Sequence, residues 1–197
     1  MAYPSVAAPY GLIPINLIGG QVFAGSTRSF PINSGSATAI YFGDLVKLSN
    51  DGTLVKDTGT NAATPVGVFL GCSFTDPTYG KTFRQFYPGA VVASDIVATV
   101  VDDPDTLFKV AVVSSGTTIS YVNRTAVGEN AVLVQNAGIT ATGNSRVAVS
   151  STTATTSTWP VRIVDVISET TSSAGSYTEV VVKWNQGMHQ YLNPTGV

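Results

Sequence analysis

Apolar residues in this chain come in short runs closed off by Gly, Asn, Asp or Pro, and nowhere do they hold an i, i+3, i+4, i+7 spacing across three helical turns. Such a chain must bury its apolar side chains from strands, which send successive residues to opposite faces. Composition agrees, since three glutamates, five lysines and two methionines are few strong helix formers for 197 residues, and Gly, Pro, Thr, Ser and Val take their place. The expectation is an all-β protein of about ten strands, with a β-barrel or β-sandwich core or, in a variant of that plan, two small barrels.

The firmest element is a hairpin running out through Asp44-Leu45-Val46-Lys47-Leu48 and back through Thr53-Leu54-Val55-Lys56, because Asn50-Asp51-Gly52 offers the positive φ angles of a tight turn. A second hairpin is expected to pair 130–135 with 139–141 across Asn136-Ala137-Gly138. Further strands are expected at 66–74, 81–87, 96–101, 107–113, 145–150, 161–167 and 178–185. In the last of these, Val180, Val182 and Trp184 share one face and Glu179, Val181 and Lys183 the other, the pattern of a strand that closes a sheet. Strand 96–101 is apolar on both faces and needs a layer on each side. The uncharged runs at 150–158 and 172–176 read as exposed loops, with a β-branched edge strand as the alternative for the first.

Residues 1–38 differ from the rest: Pro4, Pro9, Pro14 and Pro31 and the Gly19-Gly20 pair interrupt apolar residues that keep no steady period. This is an extended N-terminal arm, followed by a first β region at 39–115 and a second at 116–197, the two packed apart or as one domain. Tyr3, Tyr10, Leu12, Ile13, Ile15, Leu17, Ile18, Phe23 and Phe30 are too many for a solvated tail. They are expected to be buried, either on the chain's own barrel or, in the sharper reading, on a neighbouring subunit. Phe83, Arg84, Phe86 and Tyr87 form the other candidate protein contact, since aromatics and arginine favour surfaces with one buried and one polar side.

Only 11% of residues are charged and the formal net charge is -2, with cations scattered singly, so a nucleic-acid or anionic-lipid partner is not expected. No apolar run is long enough to span a membrane as a helix. The first residues lack a signal-peptide pattern, and a single cysteine, Cys72, permits no intrachain disulfide; synthesis in a reducing cytoplasm is the expectation. Chemistry is equally sparse. His189 is the only histidine and lies near the C-terminus, Cys72 lies in an apolar strand that would bury its thiol, and no nucleophile-elbow, phosphate-loop or metal-binding motif occurs. The Asp102-Asp103-Pro104-Asp105 cluster reads as a turn and not a Ca²⁺ loop. We expect no enzyme, no cofactor and no metal.

One longer pattern resembles a known kind of protein. A Gly/Pro-rich arm precedes Phe42-Gly43-Asp44-Leu45-Val46-Lys47-Leu48, a turn at Asp51-Gly52, and Pro65-Val66-Gly67-Val68-Phe69-Leu70-Gly71. In that order the chain resembles the capsid decoration, or cement, proteins of tailed bacteriophages. The resemblance implies a β-barrel or sandwich bound to the outside of an icosahedral capsid in the virion. It also implies the major capsid protein as partner, a homo-oligomer with a trimer favoured, and capsid stabilisation as the role. The rivals are a phage tail or fibre component and a carbohydrate-binding β-sandwich module using Tyr79, Phe83, Phe86, Tyr87 and Trp159.

Overall fold

A computed structural model of the chain describes residues 8–167, 170 and 177–196. Within the first hairpin, Gly52 takes φ 77° and the Asp51 carboxylate accepts hydrogen bonds from the Ser49 and Thr53 hydroxyls and the Thr53 N–H. This local network aligns β3 (Leu45–Leu48) with β4 (Leu54–Lys56), Val46 opposite Lys56. The same sheet carries β2 (Arg28–Pro31), β5 (Gly67–Asp76), β6 (Gly80–Arg84) and β7 (Val97–Val101), in the order β2-β7-β5-β3-β4 with β6 added alongside β5.

The other sheet contains β1 (Ile13–Leu17), β8 (Thr106–Ser115), β9 (Thr118–Ile119), β10 (Asn130–Val134), β11 (Ala148–Ala154), β12 (Val161–Ile167) and β13 (Glu179–Trp184). It closes on itself. β8 pairs with β11 and with β13, and β11-β10-β12-β13 completes the ring. The final strand therefore closes the sheet as its alternation predicts, with Val180, Val182 and Trp184 turned into the core. The fold is all-β, one closed sheet packed against one open sheet.

Two cores result. The barrel core gathers Phe108, Val110, Val112, Leu133, Val149, Ile163 and Trp184, and it is sealed by Leu45, Val68 and Val101 from the open sheet. The second core, on the opposite face of that sheet, holds Val46, Phe69, Phe74, Tyr87, Ala98 and Val100. Strand β7 thus has apolar residues on both faces because it separates two cores, with Val100 in one and Val101 in the other.

Several expectations are corrected. Strand β10 does not fold back onto 139–141; its antiparallel partners are β11 and β12, and Ile139 makes only an isolated bridge to Asn144. The polar run from Ser150 begins as strand and not as loop, and β11 lies inside the ring and not at an edge. Its serines and threonines tolerate that place because Ser150 is buried while Thr152 faces water, and Thr153 donates to Glu129. The division between sheets falls between β7 and β8, before the boundary expected after residue 115, since β8 belongs to the barrel. The expected loop at 172–176 lies outside the described residues.

The arm is not a separate body. It contributes β1 to the barrel sheet, against β8, and β2 to the open sheet, against β7. Where it crosses the first hairpin, Gly11 (φ 86°) and Gly43 (φ 87°) meet backbone to backbone: a Cβ on Gly11 would lie 2.8 Å from the Gly43 carbonyl oxygen. The Leu12 N–H donates to that oxygen at 3.0 Å. The positive φ calls for glycine at both positions, and close approach adds to it at Gly11.

Candidate protein interface

Register decides which side chains of the open sheet reach water. Cys72 lies opposite Arg84 and Ala98, and with Phe74 it points into the second core. One residue on, Ser73 lies opposite Phe83 on one side and Val97 on the other, and Val97 lies opposite Pro31. The row Phe83, Ser73, Val97, Pro31 therefore occupies the face of the sheet that, further along, covers the barrel with Val68 and Val101. Here the barrel no longer reaches it. Phe83 is 80% exposed, and Tyr79 in the β5–β6 turn is 78% exposed. A shallow groove of about 380 Å³ runs beside Phe83, lined by Leu70, Gly71, Ser73 and Thr99. The outer edge of β6 carries no partner strand among the described residues.

The candidate aromatic cluster is thus split by the pleat. Phe83 faces water, Arg84 lies over the Phe74 ring at 5.6 Å, Phe86 stacks on Tyr41 with ring centroids 5.4 Å apart, and Tyr87 is fully buried with its hydroxyl donating to the Ser36 carbonyl. Tyr87 is a core residue and not an interface residue, because its ring completes the second core. The same burial removes it from any sugar-stacking platform, and Tyr41 occupies one face of Phe86.

The arm residues divide similarly. Leu12 and Phe30 are core residues of this chain and not contacts for a neighbour, one in each core. Ile13, Ile15 and Leu17 are half-buried along β1, and Phe23 packs against the barrel core. Tyr10 is half-buried and donates at 2.6 Å to Glu179, which also receives the Tyr177 hydroxyl and lies 3.6 Å from Lys109. Burial, and next the bond to that carboxylate, drive the Tyr10 pKa far above its ordinary value, so the phenol stays a donor. Ile18 alone of these is exposed, at 51%, and shares a groove with Leu192 of the C-terminal turn, which is 55% exposed. Tyr3 lies outside the described residues.

A buried polar junction fixes the two sheets to each other. The fully buried Asp44 accepts from the Ser145 hydroxyl at 2.6 Å, the Tyr41 N–H at 2.9 Å and the Lys56 ammonium at 2.7 Å. Ser145 stands just before β11 and Lys56 at the end of β4, so one carboxylate ties both sheets. Two members of the junction, Tyr41 and Lys56, also line a surface groove of about 350 Å³ with Thr38, Gln135 and Gly138. Cys72 is also enclosed: burial pushes its thiol up to about 11, against a weaker opposing effect of Arg84, and it donates weakly to the Phe86 carbonyl. His189 is completely buried beneath the C-terminal turn. Among the described residues, no group of His, Cys, Asp and Glu has the arrangement of a metal site.

Exposed Pro31 and half-buried Val97 and Thr99 complete this face, beyond the residues that the sequence singles out. The alternation through 97–101 held the signal, because it places Val97 and Thr99 on one face with Val101. No protein-family model matches this chain, no curated protein matches it, and no solved structure matches its fold.

Proposed function

We propose that this chain is a structural virion protein that packs on the outer surface of an icosahedral capsid and stabilises it without chemistry of its own. The observation that carries the reading is the uncovered apolar end of the open sheet, where Phe83, Val97 and Pro31 line up beside an unpaired strand edge. Burying an aromatic side chain such as Phe83 or Tyr79 contributes about 1.5–3 kcal/mol each. A strand edge adds main-chain hydrogen bonds to a neighbour. The low charge of the chain suits surfaces that stay packed, and on a symmetric shell such contacts repeat, so modest single affinities act together.

The same face serves contact between copies, and a small ring, with a trimer favoured, fits the reading. Light scattering on the purified chain tests this. The wild type is expected to be a small oligomer, and the double variant Tyr79→Ser, Phe83→Ser a folded monomer with an unchanged circular dichroism spectrum, since both side chains are solvent-exposed in the single chain. A wild type that stays monomeric over the micromolar range, with the same mass as the variant, would contradict contact through this face.

A further inference from the structure

The segment after β13 leaves the barrel and is fastened to the open sheet by several contacts. The Gln190 side chain accepts from the Leu48 N–H at 2.8 Å and donates to the Leu48 carbonyl at 3.2 Å, replacing with one amide the pair of bonds a neighbouring strand would make. Its own N–H donates to the Pro65 carbonyl at 2.9 Å. Tyr191 receives Arg28 at its hydroxyl at 3.3 Å, while Arg28 also lies 3.0 Å from Asp102. One short turn thus touches β2, β3, the approach to β5 and the turn after β7.

His189 starts that turn. Its Nδ1 accepts the Tyr191 N–H at 3.3 Å, and its Nε2 has no hydrogen-bond partner among the described residues. A backbone N–H can only donate, so Nδ1 must be bare and the ring neutral. A proton added at Nδ1 would set two donors against each other and place a charge where water does not reach. We propose that residues 189–192 form an acid-released clasp, with His189 as the trigger whose protonation breaks its bond to Tyr191 and frees the turn from the open sheet.

The surroundings bear on the sign. The groups facing His189 are the Asp102 and Asp103 carboxylates, the Val66 and Asp102 backbone, Tyr191, and Arg28 through its contacts to Asp102 and Tyr191. Burial lowers the pKa of the ring, and this outweighs the carboxylates and backbone, which favour the charged form. An unburied imidazole takes up its proton near about pH 6.5. A ring whose folded pKa lies below that value resists the proton, so the clasp is fully held above this pH and weakens as pH falls below it.

Hydrogen exchange on the full chain, at pH 7.5 and pH 5.0 and corrected for intrinsic rates, tests the clasp. The amides of Gln190, Tyr191 and Leu192 are expected to lose at least tenfold in protection at the lower pH, while those of β12 and β13 keep theirs. His189→Gln, which retains an acceptor but no titrating ring, is expected to remove the pH dependence. Equal protection at both pH values, or the same loss in the variant, overturns the proposal. Should that variant fail to fold, the wild type decides by NMR, because the chain has one histidine. The imidazole and the Tyr191 amide must titrate together; independent titration overturns the clasp.

Discussion

Asp44 concentrates three hydrogen bonds at a point that water does not reach, and one of its donors, Ser145, comes from a distant part of the chain. Its partner Lys56 is itself almost enclosed, with its side chain 11% exposed. Desolvating such a pair offsets much of its attraction, so the pair specifies the junction more than it stabilises it. Removing one member is another matter, because the remaining charge is left unpaired. Asp44→Ala is expected to destabilise the protein by about 3–5 kcal/mol in urea unfolding. Lys81, by contrast, pairs with Asp95 at 2.9 Å on the surface, where side-chain freedom and screening leave an ion pair little net effect. Distance alone does not separate the two pairs; burial does.

At the scale of elements, β11 tests the account best, since its composition reads as loop and its position is central. A proline there removes a ladder donor and its ring obstructs the neighbouring strand. Thr153, opposite Ala131, lies within the strand, while Thr158 lies in the exposed connection to β12. Thr153→Pro is expected to cost about 1–3 kcal/mol or more, the scale of an unmade buried hydrogen bond. Thr158→Pro is expected to leave the thermal midpoint within a few degrees of the wild type, and thermal unfolding followed by circular dichroism checks both. Most strands were legible because alternation and Gly-rich turns are local signals: β3, β4, β5, β7, β8, β12 and β13 all fall where pattern places them. What was not legible depends on partners far away. β11 runs parallel to β8, a pairing that no neighbouring residue announces. β1 contains Pro14 and a register shift between Pro14 and Asn16, so its period is broken as a strand's seldom is. The aromatic stretch at 83–87 could not be sorted from its composition, because only pairing with Cys72 and Ser73 sends Phe83 outward while Tyr87 closes a core.

At the scale of the whole molecule, the arm works first within its own chain. It gives one strand to each sheet, Leu12 to the barrel core and Phe30 and Ile32 to the second, so its apolar character is largely accounted for without a neighbour. The C-terminal turn fastens the open sheet from another side through Gln190 and Tyr191. The proposed contact with other subunits would use apolar surface that these straps leave uncovered, such as the Phe83 face of the open sheet and the groove shared by Ile18 and Leu192. The most direct measurement is immunogold labelling of intact virions that carry this chain, using antibody raised against the folded protein. The account predicts gold distributed over the outer surface of intact heads; gold confined to tails, or appearing only after heads are broken open, would contradict it.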